Sequence, residues 1–277
     1  MTWWAVEVGV DEGERAAVAA WLVAETGQAV EERTDGILVS FAEDLAGAEG
    51  LIGRLQSVHG SGVRTERRAL DSVDWTTRWR DGLGPRRLGR LTVVPSWIEY
   101  QRGAEEAVVV IDPETAFGSG EHGSTRAALR LLERHLRPGQ SVLDLGSGSG
   151  ILTIAAVRLG AARAIGVEVD DEALPVAIRN SAVNGVSDRI GFVAGEAADL
   201  APLLGPADIV LSNILRIVNV TLLPAIRSAL KPGGLVIFSG MEESEAAEFR
   251  PELELAGLTL VDQETDAGWW AVAATRA

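Results

Sequence analysis

The hydrophobic pattern changes its rhythm partway along the chain. "WWAVEVGV" (Trp3–Val10) alternates apolar and polar positions, as a half-buried strand does. "GERAAVAAWLVAETG" carries one apolar face at helical spacing and ends at Gly27. "AVEERT" and "GILVSFA" straddle Asp35-Gly36, a hairpin signal because both residue types tolerate positive φ. A weaker helix, "LAGAEGLIGRLQSVHG", and a last strand, "VRTERRAL", complete the series strand–helix–strand–strand–helix–strand. That order predicts a small α+β domain of split β-α-β, ferredoxin-like type over residues 1–70.

Residues 71–100 break the pattern. Trp75 and Trp79 are four apart and would share one helix face, but the glycines and Pro85 that follow interrupt it. This stretch is predicted to be a linker and junction, with hinge motion as a further expectation. From residue 101 on, and plainly from Val108, short apolar runs alternate with helical ones: "SVLDLG", "ILTIAAVRLG", "AIGVEVD", "EALPVAIRNSAVNG", "IGFVAGE", "ADIVLSNIL", "LLPAIRSAL", "GGLVIFSG". Alternation of that kind predicts an α/β domain over 101–277, with a doubly wound, mostly parallel sheet.

Composition narrows the chemistry. The chain has no cysteine, which excludes disulfides, thiolate metal sites and a thiol nucleophile. Its three histidines lack H-x-x-x-H spacing, no serine sits in G-x-S-x-G, and the sole lysine, Lys231, is not in a P-loop. No metal is expected. The net charge of −15 disfavours direct nucleic-acid binding and suits a cationic ligand or basic partner. The start "MTWWAVEVGVDEGER" has no basic leader, and the longest uncharged apolar run falls far short of the roughly 20 residues that span a bilayer. The expected location is the cytoplasm, away from membranes.

The strand "SVLDLG" runs directly into "GSGSG" and a helix. Glycines there permit a tight turn and let a ligand approach the backbone at the carboxyl edge of a sheet. A dinucleotide fingerprint would need glycine at Ile151 or Thr153, so that reading fails. Asp144, at the strand end, would repel a pyrophosphate but favour an ammonium or sulfonium. Glu168 follows Gly146 by 22 positions, where this fold places an acid on a ribose hydroxyl pair. A cationic nucleoside without phosphate, S-adenosylmethionine, fits these features.

"VLDLGSGSGILTIAA" resembles the first motif of class I methyltransferases. Together with "IDPETAFGSGEHGSTR", "GVEVDDEAL", "NGVSDRI", "ADIVLSNIL" and "LKPGGLVIFSG", it resembles the PrmA-type methyltransferases of large-subunit ribosomal protein eleven, over most of Ile111 to Ala277. The resemblance implies a Rossmann-like seven-stranded sheet with an N-terminal substrate-recognition domain. It also implies that the loop "AFGSGEHGSTR", with Phe117, Gly118 and His122, folds over the cofactor's methionine end and that Thr125 contacts it. A helix N-terminus offers free amides to a carboxylate, and Ser124 or Thr125 is expected to cap that helix as well. His122 reads either as a cofactor contact or as a loop histidine in a structural hydrogen bond. Gly146, Gly148, Asp144 and Glu168 complete the expected cofactor set, Asp144 orienting the methionine ammonium directly or through water. Ser119, Gly123, Ser124 and Glu168 depart from the usual residues, and Glu168 stands where Asp is usual.

Ser212-Asn213-Ile214-Leu215 resembles the family's N-I-L motif. Methyl transfer to nitrogen needs a neutral lone pair aimed at the sulfonium carbon, and a carboxamide oxygen can accept the amine's hydrogens and fix its direction. Asn213 is therefore the expected catalytic residue and a cofactor neighbour; its bland alternative is a strand-end turn. Glu196 could reach an adenine edge or be a solvated acid. The leading expectation is methylation of lysine and N-terminal amines of ribosomal protein eleven. The alternatives are another protein or small amine as acceptor, or a non-catalytic module that senses the cofactor.

Overall fold

The computed structural model describes residues 3–26, 30–33, 36–70, 83–114 and 116–276, which form two compact units, Met1–Leu83 and Gly84–Ala277. In the first unit β1 (Trp3–Gly9), α1 (Glu12–Thr26), β2 (Glu31–Glu32), β3 (Leu38–Ala42), α2 (Leu45–His59) and β4 (Arg64–Leu70) follow the expected order. The sheet runs β2-β3-β1-β4 with every pair antiparallel, the ferredoxin-like arrangement. Alternate positions Val6, Val8 and Leu38 meet Val18 and Leu22 of α1 and Leu51 and Leu55 of α2 in one buried cluster. The hairpin turns at Gly36, whose φ is 81° and whose N–H donates to the Arg33 carbonyl at 2.8 Å. Asp35 of the hairpin signal lies outside the described residues, as do Trp75 and Trp79.

The second unit starts inside the stretch expected to be linker. β5 (Arg86–Leu88) and β6 (Leu91–Pro95) form a hairpin, and β6 runs parallel to β7 (Ala107–Ile111). The linker expected over 71–100 therefore extends too far. "RRLGRLTVVP" is split by Gly89 into pieces too short to show a strand period, yet Leu91, Val93 and Val94 are buried.

The main sheet contains β8 (Ser141–Leu145), β9 (Arg163–Glu168), β10 (Ile190–Ala194), β11 (Ala207–Asn213), β12 (Leu230–Glu242), β13 (Leu258–Asp266) and β14 (Trp269–Arg276). Its order is β10-β9-β8-β11-β12-β14-β13, and only β14 opposes its neighbours. Both faces are covered, as a parallel sheet requires. Ile209 and Leu211 of β11 face α3 (Gly123–His135) and α4 (Ile151–Arg158); α5 (Ala173–Val183) and α6 (Ala197–Leu204) follow in the chain, and Val210 faces the cluster of α7 (Arg216–Ala229) and α8 (Ala246–Leu255). Strand order reverses at β8, so the carboxyl ends of β8, β9 and β11 open one crevice.

A row of ion pairs fixes α3 against β13. Arg126, Arg130 and Arg134 recur every four residues; Asp266, Glu264 and Asp262 recur every two. Four helical residues rise about 6 Å and two strand residues about 6.6 Å, so the rows keep register. Arg126 pairs with Asp266; Arg130 reaches Asp266 at 2.6 Å and Glu264 at 3.5 Å; Arg134 reaches Glu264 at 2.6 Å and Asp262 at 3.0 Å. The Arg126 hydrogen bond is the main cause that holds the Asp266 carboxyl below the usual carboxylate range. Asp266→Ala removes partners from two guanidiniums in a half-buried setting and is expected to lower the unfolding free energy by about 2 kcal/mol. Glu264→Ala, whose arginines are 35% and 39% exposed, is expected to cost less than about 1 kcal/mol. Urea unfolding at pH 7 measures both, and equal losses would contradict the ladder as described.

Candidate active site

β8 ends at Leu145, and the chain turns through residues 146–150 into α4. The N–H groups of Gly146 and Ser147 both donate to the Val167 carbonyl, at 2.9 and 3.0 Å, so the turn folds back over β9. At Gly148 φ is 50°, and a Cβ there would stand 2.5 Å from the Phe117 carbonyl oxygen. Glycine is required by both the dihedral and the space.

The loop before α3 rests on this turn. Ser149 donates its N–H to the Phe117 carbonyl at 2.9 Å and its hydroxyl to the Gly118 carbonyl at 2.6 Å. Glu168, at the end of β9, accepts from the N–H groups of Gly148 (2.7 Å), Val169 (2.9 Å) and Asp170 (3.1 Å). Its carboxylate thus anchors the glycine turn, a role the sequence reading did not anticipate.

Asn213, the last residue of β11, donates from Nδ2 to Thr125 Oγ1 at 3.3 Å. Its Oδ1 is buried and has no hydrogen-bond partner among the described residues; the same holds for Asp144 Oδ1 and Ser147 Oγ. A cleft of about 290 Å³ opens between these segments. Phe117, Gly118, Gly146, Gly148, Glu168 and Asn213 line it, as does Glu196, with Ile151, Leu152, Val167, Ile214 and Leu222 as apolar walls. Two carboxylates and no Lys or Arg line the cleft, which suits an uncharged or cationic nucleoside and opposes a polyphosphate. The residues present fit S-adenosylmethionine: apolar walls for a base, carboxylates for hydroxyls, and an orphaned amide oxygen at one end.

Three expected site residues stand behind the cleft. Thr125 is fully buried and is one hydrogen bond removed, through Asn213. Asp144 is also fully buried, its Oδ2 accepting from Thr153 Oγ1 at 2.6 Å. Burial pushes its carboxyl up to about 7 against the pull of Thr153, and Glu168 nearby adds to the rise. His122 packs its ring 4.3 Å from Trp269 and 5.2 Å from Phe117, with Nδ1 2.7 Å from Ser124 Oγ. Burial, and then Arg126, lower its pKa, so the ring is neutral at neutral pH. His122 thus makes the structural hydrogen bond of one of its two expected readings, beside the loop that carries Phe117.

The expected helix cap is corrected. α3 begins at Gly123 with His122 in the capping position and no side-chain cap, so Ser124 and Thr125 lie inside its first turn rather than at the cap. Gly123 admits this start: a Cβ there would stand 2.4 Å from the Asp266 carbonyl oxygen.

Buried amides that the sequence reading missed hold the loops in place. Asn180 Oδ1 accepts from the Asp112 N–H at 3.0 Å, and its Nδ2 donates to the carbonyls of Asp112 (3.0 Å) and Ser149 (2.9 Å). Asn184, one turn on, does the same for Val110. The signal available was the i, i+4 spacing of two asparagines on one helix.

Comparison with known proteins agrees with this geometry. The sequence pattern of the family described as ribosomal protein L11 methyltransferase (PrmA) matches residues 8–277. The ribosomal protein L11 methyltransferase of Pelotomaculum thermopropionicum is 39% identical over 241 residues, 87% of this chain and 76% of that protein. That of Thermus thermophilus is 39% identical over 71% of this chain and 75% of its own length. A crystal structure of ribosomal protein L11 methylase from Lactobacillus delbrueckii subsp. bulgaricus aligns with a TM-score of 0.64 at 31% identity, covering 70% of this chain and 99% of that one. The fold is that of a class I S-adenosylmethionine-dependent methyltransferase, and the chain belongs to the ribosomal protein L11 methyltransferase (PrmA) family.

Proposed function

We propose that this enzyme transfers methyl groups from S-adenosylmethionine to lysine and N-terminal amines of ribosomal protein L11. One observation carries the reading: Asn213 is held by Thr125 at the cleft, with a buried carboxamide oxygen that has no hydrogen-bond partner among the described residues. S-adenosylmethionine supplies an electrophilic methyl on a sulfonium. Asn213 Oδ1 accepts a hydrogen of the neutral acceptor amine and directs its lone pair, which replaces a bimolecular search by a fixed approach. The amine gives up its proton to solvent before or during transfer.

The remaining residues bind. Glu168 keeps lone pairs for ribose hydroxyls beyond the three amides it accepts. Gly146 and Gly148 allow the backbone to approach the ligand, Phe117 and Gly118 cover it, and Glu196 faces the base. Asp144 acts from behind the turn as the counter-charge to the methionine ammonium. Residues 1–70 serve as the substrate-recognition domain. No helix among the described residues is long and apolar enough to cross a membrane, and we place the reaction in the cytoplasm, with L11 free or in the ribosome.

Intact-mass spectrometry of L11 from the same source, incubated with the enzyme and S-adenosylmethionine, is expected to show gains in methyl steps. Asn213→Ala is expected to lower the rate about 100-fold while changing cofactor affinity only a few-fold. Cofactor binding without any gain in mass would refute L11 as the acceptor.

Asp144 gives a pH dependence. Its folded pKa is raised, so in the free protein its stabilising contribution is complete below the unfolded value of about 3.9. That contribution is lost as pH rises through about 7. A cationic ligand favours the ionised form, so cofactor affinity is expected to rise from pH 6 to pH 8 and to stay flat in Asp144→Asn. Calorimetric titration at both pH values checks this; a flat profile in the native enzyme would remove Asp144 from binding.

A further inference from the structure

Asn219 lies on the second turn of α7 and is fully buried. A buried amide is unfavourable unless its donors and acceptor are matched. Here all three are. Its Oδ1 accepts from Ser212 Oγ at 2.7 Å, and its Nδ2 donates to the Ile214 carbonyl at 2.9 Å and to the Ser239 carbonyl at 3.1 Å. Ser212 and Ile214 are the two chain neighbours of Asn213. One side chain therefore grips the backbone segment on both sides of the expected catalytic amide.

The third partner closes a ring. Ser239 Oγ donates to the Ser124 carbonyl at 2.9 Å, and Ser124 precedes Thr125, whose hydroxyl accepts from Asn213 Nδ2 at 3.3 Å. From Asn213 the path runs through Thr125, Ser124, Ser239 and Asn219 and returns to Asn213 by way of Ser212 or Ile214. The ring joins β11, α7, β12 and α3 at one point. It is packed tightly: Gly240 has a φ of 81°, and a Cβ there would stand 2.4 Å from the Ile214 carbonyl oxygen. That carbonyl is committed to Asn219, whereas Asn213 Oδ1 has no partner among the described residues.

We infer that Asn219 is a positioning residue for methyl transfer: it fixes the Ser212–Ile214 turn so that the Asn213 carboxamide keeps its aim. The inference rests on the proposed role of Asn213. It sets an expectation that differs from a packing role. Most of the cleft lining assigned to the cofactor lies on the glycine turn, the loop over it and residues 195–197, to which no hydrogen bond of Asn219 runs, whereas its bonds flank Asn213 on both sides; its loss therefore moves turnover far more than cofactor affinity.

Two substitutions test this. Asn219→Leu removes all three bonds, and Asn219→Asp keeps the acceptor for Ser212 but replaces the donor to both carbonyls. Each is compared with the native enzyme for kcat and KM on L11, for S-adenosylmethionine affinity, for thermal unfolding, and for the 15N side-chain amide signal of Asn213 in the cofactor-loaded protein. The expected result is a fall in kcat of roughly 10- to 100-fold in at least one folded variant, cofactor affinity within about twofold, and a shifted or broadened Asn213 amide signal. The loss is also expected to be less than additive with that of Thr125→Val, since both act through Asn213. Native kcat with an unmoved Asn213 signal in a folded variant would overturn the inference. If native enzyme leaves L11 unmodified, L11 falls as the acceptor, and the Asn213 signal alone then decides the positioning role: a shift in the variants supports it and no shift overturns it.

Discussion

Two backbone amides, those of Gly146 and Ser147, share the single carbonyl of Val167. This forked bond holds the turn after β8 flat against the end of β9. Everything at the carboxyl edge of the sheet is built on that surface. The turn presents Ser149 upward to hold Phe117 and Gly118, and presents the Gly148 N–H sideways to Glu168. No side chain fits at 148 between turn and loop. The cleft exists because the backbone of one segment is the floor for another.

Polar groups around the cleft divide into two sets. Asn180, Asn184, Asn219 and Ser239 use their hydrogen-bonding capacity inside the protein, and they lock loops whose backbone groups would otherwise be buried unmatched. Asn213 Oδ1, Asp144 Oδ1 and Ser147 Oγ are left without partners among the described residues. Unmatched buried oxygens cost about 1–3 kcal/mol each, so their concentration around one cleft is a reservoir that a ligand with N–H groups or positive charge can draw on. The first set makes the second affordable, because it fixes the framework in which the orphans sit.

Much of this was legible in the sequence, for identifiable reasons. Alternation and helical spacing gave both domain types, because each strand or helix buries one face at its own period. The glycines were legible because a strand followed at once by glycine has few structural uses, and Glu168 because it stands at the tip of the next strand, 22 positions after Gly146. What escaped depends on partners distant in the chain. Asn180 reaches Asp112, 68 residues away, and reads in sequence like any helix asparagine. The arginines of α3 look like a solvated face until β13 is placed beside them. Ser124 and Thr125 are residue types that suit a helix cap, but the helix starts at Gly123 and takes both into its first turn. Asp144 is expected to orient the ligand's ammonium directly or through water; that its side chain is fully buried is decided by strand pleat, which charge alone does not reveal.

The central claim is that residues 117–118, 146–148 and 195–197, with the Asn213 turn, form one ligand site held by shared hydrogen bonds. Hydrogen exchange with and without S-adenosylmethionine tests it most directly. Slowed exchange in all of these segments together, with the N-terminal unit unchanged, is the expected result. Protection confined to a single segment, or centred away from the carboxyl ends of β8, β9 and β11, would contradict it.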